Sequence, residues 1–273
     1  MLALAAGAAA THAGEAGRAA APGEVDVAAV LKAADRFRTG GTGGTGGTGG
    51  TGGAGGTADN LQVETQVTVF NRDGSTDKER RYTVFTQAGH KSLVLMRSPA
   101  EAGQKVLMLG DDFWLLLPGS QRPMRITPAQ KLLGDASTGD IATLSWTDDY
   151  TGTLVGEERC EVPQGSAGGA PCLHLTLRSA RKGLSYARIE LWVGTRRHEP
   201  LHAELYVQSD KLAKLASFVM DRPAAPTRVD EMVLTDRLGS HKATHVRYLS
   251  RRPRQVPEAW LNPMFLARNP ALE

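Results

Sequence analysis

The string HEPLH, residues 198–202, matches H-E-x-x-H, in which two histidines one helical turn apart hold a zinc and the glutamate activates a water. Here those groups are His198, His202 and Glu199. The chemistry requires a helix, yet the surrounding ARIELWVGTRRHEPLHAELYV alternates apolar and polar residues on both sides of GTRRHEP, the pattern of two strands joined by a hairpin. Pro200 removes a backbone donor where the helix needs one, at about 3 kcal/mol. In an extended chain, residues four apart lie about 13 Å apart, too far for both imidazoles to reach one ion at about 2 Å. Zinc hydrolysis is therefore disfavoured, and neither metal nor cofactor is expected.

The other chemically suggestive strings fail in similar ways. HKATH (241–245) repeats the histidine spacing at the start of a strand-like run, with no carboxylate between. GLSYA (183–187) has the composition of a nucleophile elbow but leads into a strand rather than a helix. Asp111-Asp112 and Asp148-Asp149 are paired carboxylates in turn-like segments, where solvation is the ordinary state. No nucleophile, base and orienting group come together, so no enzyme is expected. The tract TGGTGGTGGTGGTGG (39–53) lacks the Lys and the following helix of a phosphate-binding loop and reads as a flexible linker. Cys160 and Cys172 flank a Gly/Pro/Ser loop between two strand-like runs, which leaves a disulfide and two buried thiols both open.

The elements that must position any site are mostly strands. VDVAAVLKAADRF (25–37) places Val27, Val30, Leu31, Ala34 and Phe37 on one helical face. From Asn60 the period becomes two: LQVETQVTVF puts Leu61, Val63, Val67 and Val69 on one face and Gln62, Glu64, Gln66 and Thr68 on the other. Roughly a dozen short runs of this kind follow, separated by turn residues, which argues for an antiparallel meander. Such a sheet must close, pair or be covered. Candidate covers are the first helix, residues 128–146 with short helices around Gln130 to Leu133 and Ile141 to Trp146, and PEAWLNPMFL near the C-terminus.

A formal charge of +3 over 273 residues, with no basic run interleaved with stacking aromatics, argues against nucleic acid as a partner. The alanine-rich start, ending in small residues, has the form of a secretory signal peptide over residues 1–20, the alternative being a disordered N-terminus. Export to the periplasm is expected, as a monomer with only transient membrane contact. The expected organisation is one domain over 24–273, with the Thr-Gly-Gly insert at 39–57.

The stretch RSPAEAGQKVLMLGDDFWLLLPGSQRPMRI (97–126), followed by Gly139-Asp140, PCLHLTL, IELWV, Pro200-Leu201 opening a strand and a Pro-rich tail, resembles the outer-membrane lipoprotein-sorting family, the LolA/LolB-like group, in its broader periplasmic branch. The likeness runs from about residue 60 to 265. It implies a mainly β fold: an unclosed, curved antiparallel β-barrel of about 11 strands covered by a few short helices and enclosing a hydrophobic cavity. It also implies a carrier that shields lipid or lipoprotein acyl chains between an inner-membrane exporter and an outer-membrane acceptor. The competing class is a non-catalytic accessory subunit of a membrane lipid exporter, with the cavity filled by side chains.

FWLLL (113–117) is apolar on both faces, with Phe113, Leu115 and Leu117 on one and Trp114 and Leu116 on the other. The expected lining of the cavity is Val63, Val67, Leu93, Leu95, Leu107, Leu115, Leu144, Leu175, Ile189 and Leu191. Alternation fixes which residues share a face of a strand, not which face is concave. The basic run RYLSRRPR (247–254) has two readings, a contact for anionic headgroups and a solvated edge strand, of which the edge strand is preferred.

Overall fold

The alternating runs form one antiparallel sheet in the computed structural model, which describes residues 25–39, 60–126, 140, 145–161, 169–239 and 242–267. A first meander comprises β1 (Leu61–Phe70), β2 (Thr76–Gln87), β3 (Lys91–Met96), β4 (Lys105–Leu109), β5 (Asp112–Leu116) and β6 (Met124–Ile126). A second comprises β7 (Tyr150–Cys160), β8 (Ala170–Ser179), β9 (Arg188–Gly194), β10 (Pro200–Tyr206), β11 (Leu212–Met220), β12 (Val229–Asp236) and β13 (Ala243–Pro253). The meanders join where β1 pairs with β13, and β6 and β7 are the two edges with no ladder between them, so the sheet is unclosed. Thirteen strands stand where the resemblance implied about eleven, the shortest being β6.

Val27–Thr39 forms α1. The Asp26 carboxylate accepts from Ala29 N at 3.1 Å and caps its first turn. Arg36 and Arg38 in the last turn complement the helix dipole. Its apolar stripe, Val30, Leu31 and Ala34, packs on the inner face of the sheet against Val63, Val67, Leu175, Leu177, Ile189 and Leu191. Gly152 on β7 permits this approach: a Cβ there would lie 2.8 Å from Val27 Cγ1 and 3.1 Å from Leu31 Cδ1.

The first meander is covered on its other face as well. Phe85, Leu93, Leu95, Leu107 and Leu116 are buried beneath Val256, Leu261 and Leu266 of the C-terminal segment. That segment contains a 3₁₀ turn, Glu258–Leu261, and α3, Pro263–Leu266. Buried Lys105 donates to the Leu266 carbonyl at 3.2 Å, and Lys91 pairs with Glu258. FWLLL thus lies between two clusters, with Phe113 and Leu115 inward and Trp114 and Leu116 outward.

The chain passes from one edge of the sheet to the other through residues 127–149, in which the described helix is α2, Trp146–Asp149. The helix expected at 130–133 lies outside the described residues, as do residues 141–144 of the second. The expected leader and the Thr-Gly-Gly insert also lie outside them, apart from Thr39 at the end of α1. The structure corrects the reading of RYLSRRPR as an edge: β13 is an interior strand between β1 and β12. Cys160 and Cys172 form a disulfide across β7 and β8, with Cα atoms 5.9 Å apart.

Candidate functional site

A cavity of about 100 Å³ opens between the inner face of the sheet and the end of α1. Its floor is mostly apolar: Leu61 and Val63 from β1, Val84 from β2 and Met108 from β4, with Thr65 and Thr86 beside them. Arg38 from α1, with Ser145 and Asp148, forms the roof, and Tyr248 and Arg251 from β13 form a wall. His90 and Lys91 stand at the β2–β3 turn.

The wall depends on a register shift. Residues three apart on a strand face opposite ways, yet Tyr248 pairs with Thr65 and Arg251 with Val63, both inward on β1. Leu249 has no partner in this ladder and is the extra residue of a β-bulge, which turns the chain so that both side chains face inward. Leu249 itself is exposed. The Arg251 guanidinium lies 4.3 Å from the Tyr248 ring centroid and donates to the Val229 carbonyl at 2.6 Å. Among the described residues no carboxylate stands within ion-pair distance of it. Burial lowers its pKa from the ordinary arginine value and raises that of the Tyr248 phenol.

The roof is latched by a carboxylate of α1. Asp35 is wholly buried and accepts from Trp146 N at 3.1 Å, Thr147 N at 2.8 Å and Thr147 Oγ1 at 2.8 Å. It therefore caps α2 from a different helix, satisfying donors that α2 cannot satisfy itself. Burial raises its pKa, opposed by Arg38 and by these donors. Arg38 is held by Asp35 at 3.4 Å and lies 4.1 Å over the Trp146 ring.

Two further carboxylates are built into the cover. Asp140 is buried, pairs with Lys214 and accepts from the Tyr186 hydroxyl at 2.6 Å. Asp149 corrects the expectation that Asp148-Asp149 is a solvated pair: it is 2% exposed, accepts from Arg181 Nε at 2.8 Å, and burial pushes its pKa up to about 7. Asp148 keeps the expected polar setting beside the Ser145 hydroxyl at 2.9 Å.

Of the lining residues expected from sequence, Val63 borders this cavity, and Val67, Leu115, Leu175, Ile189 and Leu191 belong to the inner cluster around it. Leu93, Leu95 and Leu107 are corrected to the opposite face, under the C-terminal segment, while Val94, Val106 and Met108 point inward. The reason is that β3 and β4 are apolar on both faces, so composition does not set their parity. Leu144 lies outside the described residues. Tyr248 and Arg251 lie in the basic run noted in the sequence but were not expected in the lining, because simple alternation, without the bulge, splits them between faces.

HEPLH lies away from this cavity, with Pro200 and Leu201 buried and Leu201 packed against the disulfide. His198 occupies the left-handed region (φ 60°) in the β9–β10 hairpin, and β10 begins at Pro200. His202 stacks on Trp192 at 4.4 Å, and Trp192 stacks on His174 at 4.2 Å, a ladder across three strands beside the disulfide. Burial lowers the His202 pKa, partly opposed by Glu204 and Glu158. No group of three or more His, Cys, Asp or Glu among the described residues has a metal-binding arrangement.

A family model described as "Uncharacterized protein" matches residues 88–268. No curated protein matches the sequence. Among solved structures, the chain is similar to a LolA superfamily protein from Nitrosomonas europaea, at 25% identity and TM-score 0.70, covering 88% of this chain and 98% of that one. It shares its fold with an outer membrane lipoprotein-sorting protein domain from Vibrio parahaemolyticus (19% identity, TM-score 0.59, 77% and 92% covered). The same holds for a DUF1329 family protein from Desulfovibrio piger (23% identity, TM-score 0.59, 76% and 90% covered).

Proposed function

Since the chain belongs to the family of that model and is a LolA-like protein, we propose that it is a periplasmic carrier that binds lipid or lipoprotein acyl chains on the inner face of its sheet. The observation that carries this reading is a floor of apolar side chains roofed by a helix that lays its apolar stripe on the inner face and is tied to α2 by the Asp35 carboxylate. Val63, Val84 and Met108 offer apolar surface, and α1 reaches α2 through Asp35. Each methylene removed from water contributes about 0.8 kcal/mol, so an acyl chain binds such a floor without strong polar contacts. A disulfide between Cys160 and Cys172 suits an oxidising compartment such as the periplasm.

The cavity, about 100 Å³, is smaller than the few hundred cubic ångströms typical of ligand pockets. A long chain therefore enters only as α1 swings away from the cluster beneath it. Loading is thus an opening reaction, with the chain taking the place of Val30, Leu31 and Ala34 on the inner face.

The same small volume favours the second reading, an accessory subunit whose cavity is permanently filled by its own side chains. Mass spectrometry of lipids extracted from purified protein, with titration by a fluorescent fatty acid, separates the two. The carrier retains or takes up acyl ligand in about stoichiometric amount; absence of both signals refutes it.

A further inference from the structure

The described cavity is amphiphilic, and its polar wall differs from its polar roof. In the roof, Arg38 is engaged by Asp35 and by the Trp146 ring. Asp140 is paired with Lys214 and Tyr186, and Asp148 accepts from Ser145. In the wall, Arg251 presents a guanidinium whose single described hydrogen bond goes to the neutral Val229 carbonyl. The Tyr248 hydroxyl, next to it, has no hydrogen-bond partner among the described residues. Asp140 and Asp148 also line this cavity but are engaged on the roof side, and Asp221 and Asp230 act on Arg251 only from beyond ion-pair distance, so the half-buried guanidinium keeps an open place for an anion. The arrangement is constructed rather than incidental, because the Leu249 bulge alone brings both donors to the inner face.

We infer that Arg251 and Tyr248 bind the anionic headgroup, carboxylate or phosphate, of an acyl ligand whose chain lies along Val63, Val84 and Met108. This rests on the carrier reading and specifies its ligand: an acidic single-headed lipid rather than a neutral ester or hydrocarbon. Arg251 and Val63 are direct partners across β13 and β1, and Val63 and Val84 across β1 and β2. A ligand laid across these strands therefore meets the cation first and apolar side chains next, at steps of about 4.8 Å. The guanidinium can offer two parallel N–H donors to either head, and the phenol a third.

The test uses the full chain and displacement of the neutral probe N-phenyl-1-naphthylamine by three competitors: palmitate, 1-palmitoyl lysophosphatidic acid and methyl palmitate, each below its aggregation threshold. At least one anionic competitor should bind about 10- to 100-fold more tightly than the methyl ester, the range of a charge-assisted hydrogen bond. Which one does so identifies the head as carboxylate or phosphate. Arg251→Met, which keeps the unbranched stem, should abolish that ratio; Arg251→Lys should restore part of it; Tyr248→Phe should reduce it by about tenfold. Should Arg251→Met fail to fold, the wild-type ratio and Tyr248→Phe decide the matter. Equal affinity for all three competitors overturns the headgroup assignment while leaving the carrier reading standing. Failure of every acyl compound, including the ester, to bind overturns both.

Discussion

Replacing Asp35 by alanine tests whether α1 is a latched cover or an integral part of the core. The substitution strips acceptors from two backbone donors, Trp146 N at 3.1 Å and Thr147 N at 2.8 Å, and from the Thr147 hydroxyl at 2.8 Å. It also removes one partner of Arg38. A buried donor left without an acceptor costs about 1–3 kcal/mol. Loss of a helix cap costs about 1 kcal/mol, and breaking a buried ionic contact from one side about 3–5 kcal/mol. These overlap rather than add, so the expected loss is about 3–5 kcal/mol, or roughly 6–20 °C in Tm for a domain of this size. Near-ultraviolet circular dichroism reports it directly, because Trp146 packs edge-on to Phe218 at 5.7 Å and beneath Arg38. The same variant should take up a fluorescent fatty acid faster than wild type, since the cover opens more often. A Tm within about 2 °C of wild type, with unchanged uptake, refutes the latch.

Three further outcomes are expected. Gly152→Val brings atoms into contact with Val27, Leu31 and Leu177, so it should lift α1 at about 1–3 kcal/mol and increase access to the cavity, read by thermal melting and probe uptake. Unchanged melting would mean α1 does not pack as described. The double variant Cys160→Ser, Cys172→Ser opens a bridge of sequence separation 12 and should lower stability by about 3 kcal/mol in denaturant titration, with reduction of the wild-type protein giving a similar loss. His202 has a folded pKa below its ordinary value, so the unfolded chain takes up the proton first and stability falls as pH drops below about 6.5. His202→Gln should therefore show a shallower loss between pH 7 and 5, and equal slopes for variant and wild type would exclude the effect.

The strands were legible in sequence wherever one face is polar. LQVETQVTVF turns Val63 and Val67 inward and Gln62 and Glu64 outward, because only one face of β1 can join the cluster under α1. The legible signal weakens where both faces are buried: Leu93, Leu95 and Leu107 sit under the C-terminal segment, and nothing in KSLVLM or KVLML distinguishes them from Val94 and Val106. The site's polar wall was hidden for a different reason. A bulge adds one residue to one strand, and its presence depends on the partner strand's register, which is a property of the pair and not of RYLSRRPR. Asp149 was hidden likewise, since its burial comes from Arg181 and the α1–α2 contact rather than from its neighbours in sequence.

On the proposed reading, the polar wall decides direction as well as selectivity. An acyl chain of sixteen carbons gains over 10 kcal/mol on leaving water at about 0.8 kcal/mol per methylene. It gains almost none of that on leaving a bilayer, whose interior is as apolar as the inner face of the sheet. The hydrophobic term therefore cancels between donor membrane and carrier, and only smaller terms remain. Opening the Asp35 latch opposes loading by a few kcal/mol, while the contact between an acidic head and Arg251 with Tyr248 favours it by about 1.5–3 kcal/mol per charge-assisted hydrogen bond. These two quantities are close in size, so the loaded and empty states lie near balance, the condition under which an acceptor of modest affinity can withdraw the ligand. Weakening Asp35 should consequently shift the protein toward retention, and weakening Arg251 toward release, two opposite effects from the latch of the cover and the wall of the cavity.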